Sequence, residues 1–301
     1  MTFALSTNWN NRRLETGEAI VDEALGLGFG ALELGFHTTQ VQVQGFKSRL
    51  DEMPVGSVHA FCPVPLSAPW GYPELYLLAD FDENARALAR VHVKKNVAFA
   101  AEMGADAVVL HAGRVPCRTL FRRNRPKKRA RLGRRLVEIF KRELELLQPA
   151  LEQNKVTLCL ENLPYLEGFP DETEIRDLVG DRVRSWLDTG HAYVRQVNGW
   201  VADASDEAQP TSPCATVRLS GLSIGSPFGL HINDSCGGDD HLPPGEGQID
   251  FAALEPTARA ARHLVLEPHS DVTPEALKRG LDFLRTAWPS SRASAPTSDN
   301  L

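Results

Sequence analysis

HINDSCGGDDHLPPGEGQIDF, residues His231 to Phe251, is the stretch whose reading decides how the chain folds. A strand over Phe228 to Ile232 leads into it, so His231 and Asp234 fall at the strand's end. A Gly-rich turn then delivers Asp239 and His241, and two prolines with Gly245-x-Gly247 fix a tight path into the next helix. Two histidines and three aspartates within eleven residues are more than solubility requires. Imidazole together with carboxylate is the ligand set of zinc, manganese, iron or cobalt. A polar loop whose histidines merely cap turns would need no matching groups elsewhere. This chain has them, at the ends of other strands.

Working outward, short apolar runs recur over Phe3 to Ser6, Ala31 to Gly35, Val55 to His59, Ala107 to His111, Val156 to Glu161, Val183 to Asp188 and His263 to Glu267. Helical spacing separates most of them: Thr16 to Leu27, a stretch ending near Met53, Asp82 to Met103, Gly133 to Asn154, Asp171 to Val179, Gln248 to Ala261 and Thr273 to Ala287. Cys62 to Pro73 reads as a Pro-rich loop and Ser205 to Ser226 as an unpatterned one. Eight strands, each followed by a helical pattern, predict an α/β fold: a single (β/α)8 TIM barrel over residues 1–288 with a flexible tail over 289–301. An open doubly wound sheet would want a Gly-rich phosphate loop after an early strand, and no GxGxxG or GxxxxGK stands there.

Composition sets the remaining bounds. Hydrophobic residues at 42% and charged residues at 24% of 301 are ordinary for a globular core. No apolar run approaches the roughly 18–20 residues a membrane span needs, and the N-terminus has no secretory pattern. Five scattered cysteines give neither a disulfide framework nor a CxxC metal site. These features predict a cytoplasmic protein, with a homo-oligomer left open. The net charge of -6 hides an asymmetry: eleven Lys or Arg and no acid lie between Asp106 and Glu138, which leaves 22 basic against 39 acidic residues elsewhere. An acidic body suits a site that concentrates cations and opposes a broad nucleic-acid face.

In a barrel of this kind the active site lies at the carboxyl ends of the strands. Those ends carry Glu33, His59, His111, Glu161, Asp188 with His191, His231 with Asp234, and Glu267. A histidine taken alone is more often a satisfied core or loop residue. Here ligand-type residues end most of the strands, and buried charges are costly unless paired or metal-bound. The set therefore predicts a divalent metal site.

The motifs LCLEN (Leu158 to Asn162), LDTGH (Leu187 to His191), HINDS (His231 to Ser235), DDHLPPGEGQIDF (Asp239 to Phe251) and LVLEP (Leu264 to Pro268) resemble the xylose isomerase-like TIM-barrel superfamily, which contains sugar phosphate isomerases and epimerases and the endonuclease IV type. The resemblance spans residues 3–287. For the isomerase and epimerase members it implies one divalent metal (Mn, Zn, Mg, Co or Fe) on Glu161, Asp188, His231 and Glu267. The two glutamates would then remove and return a proton through an ene-diolate whose charge the metal stabilises. The endonuclease IV type implies further metal ligands at His59, His111, His191, Asp239 and His241. In the sugar reading His191 and His241 contact substrate or a second metal, Glu33 contacts a hydroxyl, and Trp9, Phe61, Trp70 and Tyr72 wall the sugar's apolar face.

The expectation is a metal-dependent isomerase or epimerase of a sugar, sugar phosphate or related polyol. The alternative is a multi-metal phosphodiester hydrolase acting on abasic DNA, in which the basic segment Arg118 to Arg135 would meet backbone phosphates. Against it, DDHLPPGEGQIDF has the wording of the sugar-handling branch, and Asp240 stands where the endonuclease branch has arginine. A barrel that has lost catalysis would have little reason to retain every ligand position.

Overall fold

The computed structural model describes residues 1–68, 70–117, 125–201, 216–219 and 226–289. In chain order its elements are β1 (Ala4–Ser6), α1 (Gly17–Leu27), β2 (Ala31–Leu34), α2 (Gln40–Ser48), β3 (Val55–His59), α3 (Glu83–Glu102), β4 (Ala107–Leu110), β5 (Gly113–Arg114), α4 (Arg125–Asn154), β6 (Thr157–Glu161), β7 (Gly168–Phe169), β8 (Val183–Asp188), α5 (Thr189–Val197), β9 (Gly229–Ile232), α6 (Phe251–Ala260), β10 (His263–Leu266) and α7 (Pro274–Ala287). Eight of the strands close a parallel barrel in the order β1-β10-β9-β8-β6-β4-β3-β2, the single (β/α)8 barrel that the strand pattern predicts. No described helix is long and apolar enough to cross a membrane.

The helices start where side chains satisfy their first N–H groups. Thr16 accepts from Ala19 N–H, Thr39 and Gln42 make a reciprocal capping box, and Asp82, Asp250 and Thr273 cap α3, α6 and α7. Their apolar faces pack on the outer side of the strands in one large buried cluster. A second, smaller cluster of Ala4, Ala107, Val109, Cys159, Trp186 and Val265 fills the barrel interior. Side chains alternate along a strand with period two. The residues two positions beyond this interior layer therefore form the next layer up: His111 above Val109, Glu161 above Cys159, Asp188 above Trp186 and Glu267 above Val265. The apolar plug is the floor of the site. Gly229 belongs to the same register, and a Cβ there would meet the Trp186 ring at 2.3 Å, so a glycine under His231 is what lets the indole fill the middle of the barrel.

The structure moves several expected boundaries. Asp171 to Val179 forms only a 3-10 turn at Ile175–Asp177. Asp171 there accepts the N–H groups of Thr173 and Glu174, while Glu174 is bound to Arg129. Among the described residues helix α4 already runs from Arg125, ahead of the expected start at Gly133: Arg125 and Arg129, one turn apart, meet acidic partners, Glu167 for the first, Glu174 and Asp171 for the second. Helix α6 starts at Phe251, since Gln248 and Ile249 are held by the loop that precedes it. The pair β5–β7, a small antiparallel ribbon beside the barrel mouth, has no signal in the strand pattern. The expected loop over Ser205 to Ser226 and the tail over 289–301 fall largely outside the described residues.

Candidate metal centre

Four ligand-type atoms from Glu161, Asp188, His231 and Glu267, all buried, lie within 4.8 Å of one another above the apolar floor. His231 Nδ1 is 3.2 Å from Glu161 Oε1, 3.2 Å from Glu267 Oε2 and 4.0 Å from Asp188 Oδ2. Metal bonds of about 2.0–2.2 Å place the ligands of one ion roughly 3–4.4 Å apart, so these separations fit a shared divalent cation. The hydrogen bonding makes the same point. His231 Nδ1 and Glu161 Oε1 are buried and make no hydrogen bond, although they face each other. A cation shared by the two would give both a partner.

Neighbouring residues aim each ligand. Glu33 is fully buried on β2, and both its oxygens lie 3.0–3.1 Å from His231 Nε2, which turns Nδ1 toward the centre. Ser57 donates to the same carboxylate at 2.8 Å. Asp188 ends β8 and caps α5: its Oδ1 accepts from His191 N–H at 2.7 Å and its Oδ2 accepts from Asn233 Nδ2 at 2.8 Å. Asn162 fixes the Asp188 backbone through a reciprocal pair of hydrogen bonds at 2.8 and 2.9 Å. Gly190 in LDTGH leaves room for this arrangement, since a Cβ there would meet Asn233 Oδ1 at 2.0 Å. Glu267 Oε1 accepts from Asn8 Nδ2 at 3.2 Å.

Three further candidate groups adjoin the first among the described residues: His59–His231–Glu267, which shares two of its members, His59–His111–Glu161 and His191–Asp239–His241. His59 Nε2 and His111 Nε2 lie 3.1 and 3.2 Å from Glu161 Oε2, so that carboxylate faces both groups. On the solvent side, Asp239 Oδ1 lies 3.7 Å from His191 Nε2 and 3.4 Å from His241 Nε2. The other ring nitrogens are oriented by backbone carbonyls: His59 by Ala60, His191 by Asn162 and His241 by Glu267. His241 takes a left-handed backbone, φ 45°, uncommon for a non-glycine residue.

The charges are tightly balanced. Burial alone would raise Glu161, but His231 and His111 outweigh it and hold the carboxyl well below its usual range. Glu267 is likewise lowered against burial by His231 and His241. Burial opposes protonation of the histidines, yet the carboxylates prevail: Glu161 lifts His111 to about 8, Asp188 and Glu161 lift His191 to about 10, and Asp239 with Asp188 lifts His241 to about 9. Without a bound cation, imidazolium is what neutralises this cluster.

The sequence matches the description of a xylose isomerase-like TIM barrel over residues 21–287. The chain belongs to the xylose isomerase-like TIM barrel family. Among solved structures, a D-tagatose 3-epimerase-like protein is 19% identical with a TM-score of 0.63 and matches over 95% of this chain and 99% of its own. The 3-keto-D-glucoside 4-epimerase from E. coli is 17% identical, TM-score 0.65, over 95% and 99%. The TTHB071 protein from Thermus thermophilus, soaked with ZnCl2, is 22% identical, TM-score 0.59, over 97% and 98%. At these identities the likeness establishes the shared barrel. No curated protein sequence matches this chain.

Within this family fold the remaining expected site residues separate cleanly. His59, His111, His191, Asp239 and His241 all line the cavity above Glu161, together with Tyr72. Trp9 does not: it is 2% exposed in the core, and its Nε1 donates to Val272 O at 2.8 Å, because its loop folds down beside β1. Glu33 is fully buried, turns its oxygens to His231 and does not line the cavity. Phe61 is buried against Tyr76 and His92, and Trp70 is exposed. Two of the three aspartates between His231 and His241 serve the loop itself. Asp234 accepts four backbone N–H groups, from Ser235, Gly245, Gly247 and Ile249, and Asp240 accepts those of Cys236 and Gly238. Of the basic segment, residues 118–124 lie outside the described residues, and Arg125 and Arg129 are neutralised internally. Residues the sequence reading passed over include Asn8, Phe36, Tyr165, Glu74 and Arg12 near the barrel mouth.

Proposed function

We propose that this protein is a divalent-metal-dependent isomerase or epimerase acting on a small sugar-like substrate. The observation that carries the reading is the convergence of Glu161 Oε1 and Glu267 Oε2, each 3.2 Å from His231 Nδ1, on one point at the open end of the barrel. A divalent cation held by Glu161, Asp188, His231 and Glu267 supplies positive charge against the negative charge that develops on a substrate oxygen. Glu161 and Glu267 project from β6 and from the end of β10, with β8 and β9 between them. Both are held as carboxylates, the form that accepts a proton from a substrate carbon. One removes the proton and the other returns one; the carbon and face that receive it distinguish isomerisation from epimerisation. The cavity above them, about 220 Å³, suits a small polyol. Phe36, Tyr72 and Tyr165 give it an aromatic wall.

The test is turnover of a ketose panel with manganese, in wild type and in Glu161→Gln and Glu267→Gln, with metal content measured in parallel. A variant that keeps its metal should lose about 10²–10⁴-fold in kcat. Wild-type turnover in either would overturn the acid/base assignment. One observation favours a second reading, a multi-metal phosphodiester hydrolase: two of the further candidate groups, His59–His111–Glu161 and His191–Asp239–His241, flank the first. Cleavage of an abasic-site duplex with about three metals per chain, and no sugar turnover, would select it.

A further inference from the structure

The metal centre borders a second cleft whose lining includes a guanidinium. This cavity, about 210 Å³, lies between the loops that follow β1, β2 and β10, and it shares Phe36, His241 and Glu267 with the carboxylate-rich one. Arg12 projects into it from the loop after β1. Among the described residues its guanidinium has no carboxylate within ion-pair distance: it lies 3.4 Å from His37 Nδ1 and donates to the Trp70 carbonyl at 3.4 Å. The arginine of the neighbouring cavity differs, since Arg114 is paired with Glu74. The acid lining the Arg12 cleft is Glu267, whose oxygens are engaged away from Arg12 by Asn8 Nδ2 and toward His231 Nδ1. The free charge is felt next door: burial, and then Arg12, push the His37 imidazole down to about 4.

We propose that this cleft is an anion subsite in which Arg12 holds the phosphate or carboxylate end of a polyhydroxy substrate whose reacting carbons lie over Glu161 and Glu267. The inference rests on the sugar-handling reading above and narrows its substrate class. A guanidinium presents paired N–H donors that match either oxyanion. In a protein of net charge -6 an anionic end of a substrate is best received beside a positive group. Arg12 lines a cavity that shares Glu267 with the metal centre, and among the described residues its guanidinium has no carboxylate partner.

The experiment has two arms. In the first, inorganic phosphate is titrated calorimetrically into metal-loaded and chelator-treated protein, for wild type, Arg12→Gln and Arg12→Lys. Binding should be present in both metal states and weakened about tenfold or more by Arg12→Gln, with Arg12→Lys intermediate, as expected for loss of a charged hydrogen bond. Binding that is absent, indifferent to Arg12, or seen only with metal overturns the subsite. In the second, kcat/KM is compared for a ketose, its terminal phosphate and the matching sugar acid. Arg12→Gln should cost about tenfold or more on an anionic substrate and leave the neutral ketose unchanged, and the series that shows the larger loss names the anion. Equal loss on all three overturns the proposal. A wild type that turns over none of the sugars overturns the sugar-handling reading instead, while the phosphate titration on metal-free protein still decides the subsite.

Discussion

Glu33 and His231 show what a single residue contributes to this site. A fully buried carboxylate would be expensive on its own; here it accepts from His231 Nε2 and Ser57 and thereby fixes the tautomer that offers Nδ1 to the centre. Glu33→Gln should keep the fold and weaken metal binding about 10–100-fold, measured by chelator competition; unchanged affinity would show that His231 needs no such support. The histidines also set a pH dependence. Their pKa values are raised in the folded chain, to about 8 for His111, about 9 for His241 and about 10 for His191. Their stabilisation is therefore complete below the unfolded value near 6.5 and is lost as pH rises through about 8 to 10. Chelator-treated protein should melt at lower temperature as pH climbs through that window, and metal-loaded protein should not, because the cation takes over neutralisation of the carboxylates. A metal-free melting temperature that is flat from pH 7 to 10 would contradict it.

Among elements, α4 and the turn at Ile175–Asp177 depend on one another through Arg129. That side chain is 4% exposed and donates to Glu174, Leu166 O and Gly168 O. Arg129→Ala strands a buried Glu174 and should cost about 3–5 kcal/mol in denaturant unfolding; a loss below about 1 kcal/mol would mean that water replaces the arginine. This pairing is also why the basic run misleads as sequence. Its charge pattern looks like a phosphate-binding face, but partners some forty residues away in Glu167 and Glu174 cannot be seen from local spacing. Strand ends were legible for the opposite reason. Period-two alternation puts Glu161, Asp188 and Glu267 in register with apolar residues two places earlier, so pattern alone puts them on the inner face. Trp9 ends a 3-10 turn over Thr7–Trp9 and Arg12 follows it, beyond the strand period of β1, and sequence could rank neither of them.

At the scale of the whole molecule, the barrel brings together groups from positions 33 to 267 that share nothing in the primary chain but their place at a strand end. The fold and the meeting of Glu161, Asp188, His231 and Glu267 at one end of the barrel could be read from strand ends and motif spacing. The division between ligands and the residues that aim them could not, because it depends on the depth of each layer. A cation that binds only the folded chain adds about 2.7 kcal/mol at a free concentration one hundred times its Kd, so zinc or manganese should raise the melting temperature by several degrees. The most direct measurement is elemental analysis of the purified, dialysed protein beside a variant carrying both Asp188→Asn and His231→Gln. The arrangement predicts at least about one tightly held divalent metal per chain in the wild type and a marked loss in the variant. A wild type that holds no metal, or a variant that holds as much, would contradict the claim that these four side chains share an ion.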